Sequence, residues 1–454
     1  MLQGWNSGWN VRRIDASAAI DGAGMSLSHA SGISAVIDRG PDGRLILQAI
    51  GPTDEIAASA RWSAVPALDR RGSLLLPGLV NAHAHLDLTH LGPRPHDPAE
   101  GFLPWIDMIR RERLTEPGAI SASVLRGVER SLAGGTVLIG DIAGAVAGKP
   151  SPDAAKALAD DARINAVAFI EFFAQGARGA AQVAAAHGVW SSLHAQPDGP
   201  GARVTFGLQP HAPYSVGLNE YEDLLDAIDP ETPVCTHLAE SDAERRFIAD
   251  GAGPFRALLQ RVGTWDATVA AEVGHGRTPI EHLTPLLAGR RIAAVHCNDA
   301  SATDLALLAR AGAPIVYCPR SSAYFAADRH FGPHRYRDML AAGLAVALGT
   351  DSIVNLETPD RISVWDEMRL LALRDGTDPA LLLRMATVNG AAALRRNSAA
   401  FSLTRLGTLA GLLAVPVPPT NQGANPVEML KAALQGDSSP GGANTPELIA
   451  IGRV

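Results

Sequence analysis

The chain has 454 residues, of which 46% are hydrophobic and 19% charged, with a formal net charge of −8. That length exceeds one small domain and fits a barrel of roughly 250–350 residues with a smaller module attached. The apolar share can fill a large core, which excludes a disordered chain. An acidic balance without any basic block excludes nucleic acid as the expected partner.

Three widely spaced cysteines, Cys235, Cys297 and Cys318, make neither a disulfide framework nor a paired metal knuckle. The first residues lack the charged start and apolar stretch of a signal peptide. No apolar run approaches the ~20 residues of a membrane helix. A soluble, cytoplasmic protein with no membrane partner is expected.

Residues 1–78 carry no sustained helical stripe. Short β-like runs at 33–37 and 45–50 flank the turn formers Pro41, Asp42 and Gly43, so this part reads as a small β module. Around Leu74 the texture changes to apolar, β-branched runs separated by Ala/Leu/Arg-rich stretches, the pattern of parallel βα units. Eight strands are predicted, at 79–84, 136–141, 164–171, 203–209, 232–238, 291–297, 313–318 and 344–350. Helices are predicted at 121–133, 219–228, 301–311 and 363–374.

Eight strands close a barrel with a filled interior, so the expected fold is an α/β, (β/α)8 TIM barrel over 79–395. After Leu394 the helical pattern fades into a β run at 407–417, expected to return to the N-terminal module. From Pro418 the composition, rich in Pro, Gly, Ser and Asn, reads as a loosely ordered end of the segment 396–454.

The ionisable residues gather at one end of these strands. His83 and His85 close the first, His211 follows the fourth, His237 ends the fifth, His296 ends the sixth and Asp351 follows the eighth. This is the face on which barrel enzymes keep their active sites. A lone strand-end histidine is usually structural, and an Asp after a strand is commonly a helix cap. Convergence from five strands is another matter, because structural accidents would scatter over both ends.

Residues at i and i+2 of a strand project to the same side, so His83 and His85 can reach one ion. Imidazoles with a carboxylate suit zinc or iron, and a water completing the shell becomes acidic. His83, His85, His237 and Asp351 are therefore the expected ligands of one divalent metal. Asp351 can also take a proton from the bound water.

The segments PGLVNAHAH (77–85), HAPYS (211–215), THLAES (236–241), VHCN (295–298), CPRSS (318–322) and LGTDS (348–352) resemble, in this order, the amidohydrolase superfamily. The resemblance runs from about residue 40 to about 395. It implies the same barrel and metal set, a small β-sandwich built from both chain segments outside the barrel, and a homodimer by family habit. Some relatives bridge two metals with a carboxylated lysine on the fourth strand. The only lysines here are Lys149, Lys156 and Lys431, so one metal is expected.

His237 with Glu240 resembles the deaminase and chlorohydrolase branch, in which the Glu carries a proton from the attacking water to a ring nitrogen. His296 would then stabilise the tetrahedral intermediate, and His211 would touch substrate. Residues 83–91, 101–105, 236–245 and 253–255 are similar to aminodeoxyfutalosine deaminases. S-adenosylhomocysteine and guanine deaminases share the metal residues.

The expected activity is hydrolytic deamination of an aminated purine or similar ring. The alternatives are an amide, cyclic-imide or halide hydrolase on the same site, or a non-catalytic barrel, which would require a lost ligand. Trp105, Phe172, Phe173 and Phe325 could stack on a base or pack in the core. Arg110, Arg111 and Arg113 could meet a polar substrate tail or line a solvated helix face. Asp87 and His90 stand in the loop after His85, where either could adjust metal or substrate.

Overall fold

The computed structural model describes residues 11–161, 163–195, 203–436 and 445–454. The first four strands are long: β1 (Val11–Ile20), β2 (Ser26–Arg39), β3 (Leu45–Pro52) and β4 (Ala67–Pro77). Eight short ones follow. They are β5 (Leu79–Ala84), β6 (Thr136–Ala143), β7 (Asn165–Phe172), β8 (Val204–Pro210), β9 (Cys235–Leu238), β10 (Ala293–His296), β11 (Ile315–Tyr317) and β12 (Val346–Leu348). The last three are β13 (Gly407–Leu409), β14 (Gly411–Pro416) and β15 (Glu447–Ile451).

β5–β8 form one parallel four-stranded sheet in sequence order, and β9–β12 form a second. Parallel bridges Leu208↔Val234 and Ala84↔Asp351 link the edges of the two sheets. β5, β6 and β7 are buried along their whole length, which is why they read as mostly apolar runs broken only by residues such as Asn81, Asp141 and Glu171. All eight strands fall on the predicted segments, although β9–β12 keep only three or four residues each.

Helices Pro117–Ala133, Leu218–Ala227, Ala302–Ala311 and Val364–Asp375 stand where they were predicted. Ser301 and Ser363, expected as first helical residues, are N-caps instead. The helix Pro117–Ala133 buries Ile120, Val124 and Val128 at helical spacing, each contributing about 1.5–3 kcal/mol. Its Gly127 faces the segment after His85. A Cβ there would stand 2.7 Å from Thr89 Oγ1 and 2.8 Å from Leu86 Cδ2, so the close approach requires glycine.

The two segments outside these parallel sheets combine in one seven-stranded sheet, ordered β13-β3-β2-β1-β4-β14-β15. Only β1 and β4 pair in parallel. The run at 407–417 does return to the N-terminal module, since β14 pairs with β4 and β13 with β3. The loose end expected from Pro418 is corrected for its described part. Helix Pro426–Gln435, capped by Asn425, buries Met429, Leu430, Ala433 and Leu434, and β15 closes the sheet edge beside β14. Residues 437–444, and the first ten on which the signal-peptide reading rests, lie outside the described residues. No helix among the described residues is long and apolar enough to cross a membrane.

Candidate metal centre and active site

Strand pairing brings the polar residues together. Asn81 in β5 donates its amide to Thr350 Oγ1 (2.7 Å) and accepts the Thr350 N–H (3.1 Å). The His83 carbonyl accepts the N–H groups of both Thr350 and Asp351 at 3.0 Å. These bonds fix the end of β5 against the residues after β12. His237 is tied in from the other side, its N–H donating to the His211 carbonyl at 3.0 Å.

The three imidazoles of His83, His85 and His237 offer ligand atoms within 4.8 Å of one another, and Glu240, His296 and Asp351 form an adjoining group of the same size. His83 Nε2 and His237 Nε2 are 3.4 Å apart. Asp351 Oδ1 lies 3.5 Å from His85 Nε2 and 3.8 Å from His83 Nε2.

Two donors at ~2.1 Å from a tetrahedral ion stand ~3.4 Å apart, so these separations fit one small divalent cation. Burial, then the neighbouring imidazoles, pushes the pKa of His83 and of His237 well below the ordinary value, leaving neutral rings with free lone pairs. Asp351 is oriented by its other oxygen. Oδ2 accepts from Ser321 Oγ (2.6 Å) and Asn355 Nδ2 (3.1 Å), and Oδ1 also takes the Ser352 N–H at 2.7 Å.

Glu240 sits in a loop clamped at its backbone. The Glu244 carboxylate accepts the N–H groups of Ala239 (3.0 Å) and Glu240 (2.8 Å), and Asn298 Nδ2 donates to the Glu240 carbonyl at 3.0 Å. Glu240 Oε1 then faces His296 Nε2 at 3.5 Å. Burial, with Asp351 and Glu244 nearby, raises the Glu240 pKa well above the usual carboxyl range. Burial lowers His296 and His211 to about 4 each. His211 lies against His237, with ring centroids 4.9 Å apart, and its Nδ1 meets Ser215 Oγ at 2.7 Å.

A second buried cluster stands beside the imidazoles. Arg113 donates to Asp87 Oδ2 (2.8 Å) and Glu171 Oε2 (2.9 Å), and Glu171 also takes the Ala145 N–H at 2.9 Å. Burial alone would raise Glu171, but Arg113, with His211 and His85, outweighs it and holds the carboxyl at about 2. Asp141, at the end of the second barrel-type strand, accepts the Leu86 N–H at 2.8 Å, and burial pushes its pKa to about 8.

Arg113 is therefore turned inward, while Arg110 and Arg111 are exposed and Arg111 pairs with Glu112. Asp87 belongs to the ion cluster, and the ring nitrogens of His90 meet the backbone carbonyls of Asp87 and Glu112. Phe172 is core. Phe173 packs on His211 with centroids 4.6 Å apart, and Trp105 and Phe325 pack on each other and on Phe102.

Asp141, Glu171, Gln209 and Asn355 went unnoticed in the sequence, and Ser321 was given no role although it stands in the segment CPRSS. The first three end predicted strands, the same signal that singled out the histidines. Gln209 Nε2 lies 3.3 Å from His237 Nε2, on the strand where a bridging lysine would stand.

Residues 74–401 match the amidohydrolase family model. The chain belongs to this family. Like other deaminase-related amidohydrolases it is a hydrolase of carbon–nitrogen bonds. It is 29% identical over 337 residues to aminodeoxyfutalosine deaminase of Deinococcus radiodurans, covering 71% of this chain and 74% of the relative. It is 27% identical over 401 residues to 5-methylthioadenosine/S-adenosylhomocysteine deaminase of Syntrophobacter fumaroxidans, covering 81% and 77%. The aminofutalosine deaminase of Helicobacter pylori shares its fold, with a TM-score of 0.71 at 20% identity over 96% of this chain and 98% of that one.

Proposed function

We propose that this amidohydrolase deaminates an aminated purine nucleoside, with aminodeoxyfutalosine or a 5′-substituted adenosine as its substrate class. The names of the relatives support this class. The observation that carries the reading is Glu240, buried with its pKa raised and 3.5 Å from His296, in a group that adjoins the three imidazoles. The two linked four-stranded sheets support a closed (β/α)8 barrel over 79–395, and the seven-stranded sheet formed by described residues of segments 1–78 and 396–454 supports reading them as one smaller β domain.

His83, His85, His237 and Asp351 would hold the metal, zinc by the chemistry of its three imidazoles and one carboxylate. When bound there, the ion supplies Lewis acidity, which makes water a competent nucleophile near neutral pH. Asp351, fixed through Oδ2, would take a proton from the attacking water. Glu240 gives its proton to the ring nitrogen beside the amino-bearing carbon, which makes that carbon open to addition. His296 in its Nε2–H form hydrogen-bonds the oxygen of the tetrahedral adduct, and His211 faces the ring. Water adds, Asp351 passes its proton to the amino group, which leaves as ammonia, and the adduct's hydroxyl proton returns to Glu240 as the ring keeps a carbonyl.

Ammonia release from adenosine, 5′-methylthioadenosine, S-adenosylhomocysteine and aminodeoxyfutalosine is the test. Glu240→Gln is expected to lower the rate by about 10²–10⁴-fold. An E240Q protein that keeps full activity would assign the site to amide hydrolysis, which needs no ring-nitrogen proton. Release of halide but no ammonia would assign it to the chlorohydrolases.

A further inference from the structure

The end of β10 is strained. His296 has φ +74° and Cys297 φ +50°, and the Cys297 N–H is shared between the Leu238 carbonyl at 2.9 Å and the Val295 carbonyl at 3.2 Å. A bond from i to i+2 around a positive φ is the rare form of γ-turn, costing about 1–3 kcal/mol at a residue with a side chain. Among the described residues no hydrogen bond reaches the His296 Nδ1, although the residue is buried. The ring packs edge-on to His83 and beside His237, with centroids 5.7 and 5.4 Å away, and the backbone turn sets the direction from which Nε2 approaches Glu240.

One side chain braces that turn. His334 Nε2 meets the His296 carbonyl at 2.9 Å, and His334 Nδ1 meets the Tyr336 N–H at 3.1 Å. A backbone N–H only donates, so Nδ1 is the acceptor and Nε2 carries the hydrogen. Both nitrogens are thus assigned by their partners. The ring lies flat on Tyr317, with centroids 3.7 Å apart and planes 13° from parallel, and Tyr317 is buried in β11. Its own hydroxyl accepts from Arg374 at 3.3 Å. The brace is therefore rigid.

We propose that His334 is a positioning residue for the reaction. It donates to the His296 carbonyl, holds the positive-φ turn, and so aims the His296 imidazole at the reacting atoms. The proposal rests on the deaminase reading of the site for its effect on rate.

Three variants separate the roles. His334→Phe and His334→Leu remove the donor, Phe keeping a flat ring on Tyr317. His334→Gln keeps a donor for the His296 carbonyl and an acceptor for the Tyr336 N–H. Both donorless variants are expected to lose kcat by about 100-fold, the scale of misplacing a catalytic group by an ångström, with KM changed by no more than about threefold. H334Q is expected to restore kcat to within about threefold of the parent. All three should keep the bound metal, and the donorless variants should lose no more than about a few degrees of thermal midpoint.

The 15N–1H resonances of the His296 ring, which need no substrate, should move in H334F and stay in place in H334Q. A parent protein that releases no ammonia defeats the deaminase reading alone, because the ring resonances still report on the brace. Equal kcat in H334F and H334Q, an unmoved His296 ring in H334F, or unfolding of both donorless variants would overturn the proposal.

Discussion

Two buried polar clusters stand side by side at the carboxyl ends of the parallel strands, and they are closed in different ways. Arg113 stands between two carboxylates, donating to Asp87 at 2.8 Å and to Glu171 at 2.9 Å. His83, His85 and His237 face each other beside the Asp351 carboxylate, with Glu240 adjoining and no cationic side chain among them. The ion cluster has its cation built into the chain, on Arg113. The imidazole cluster offers neutral ligand atoms that a bound cation would draw together. Burial alone therefore does not mark a functional group; a set of buried ligand atoms with no cationic side chain of its own among the described residues does.

The sharpest way to break this contrast is His237→Ala. Bound metal, counted by elemental analysis, should fall from about one per chain to near zero, and ammonia release by about 10³-fold or more. Full metal content in H237A would remove the imidazole cluster from the account. Arg113→Met strikes the other cluster, leaving two buried carboxylates without a partner. It should cost about 3–5 kcal/mol in urea unfolding while the folded fraction still holds its metal.

A smaller effect is expected from Ser321→Ala, which frees one bond to Asp351 Oδ2. Metal affinity, measured by competition with a chromophoric chelator, should weaken by about tenfold, with little change in thermal midpoint.

The pH dependence sharpens the contrast further. Glu171 is depressed from its ordinary 4.5 to about 2, so its contribution is fully present above about 4.5 and fades as pH falls toward 2. The stability gap between the parent and Arg113→Met should narrow over that window. A gap that stays constant down to pH 3 would show that Arg113 acts through packing instead.

Legibility in the sequence followed burial. β5–β7, covered on both faces, left predominantly apolar runs that place them to within two residues. β9–β12 were placed but overextended, because the residues flanking each short core, such as Val234 and Cys297, are as buried as the strand itself. The folded part of the C-terminal segment was missed because the motif ELIAI of β15 is short and follows a stretch rich in Ser, Pro and Gly.

Within the site, the histidines were legible because imidazoles at strand ends are rare. Ser321, Asn355 and His334 were not. Their roles come from side-chain and backbone bonds to residues 4 to 38 positions away, a relation that no local pattern carries.

The pairing of β4 with β14 joins Leu76 to Leu413, more than three hundred positions later in the chain. During synthesis at 5–20 residues per second, that edge of β4 waits roughly 20–70 s for its neighbour. Through that interval the nascent chain presents an apolar, unpaired strand, Leu74, Leu75 and Leu76 included, of the kind that recruits other chains. Recovery of soluble protein should therefore depend on chaperone supply and on temperature during expression more than the stability of the finished molecule would suggest.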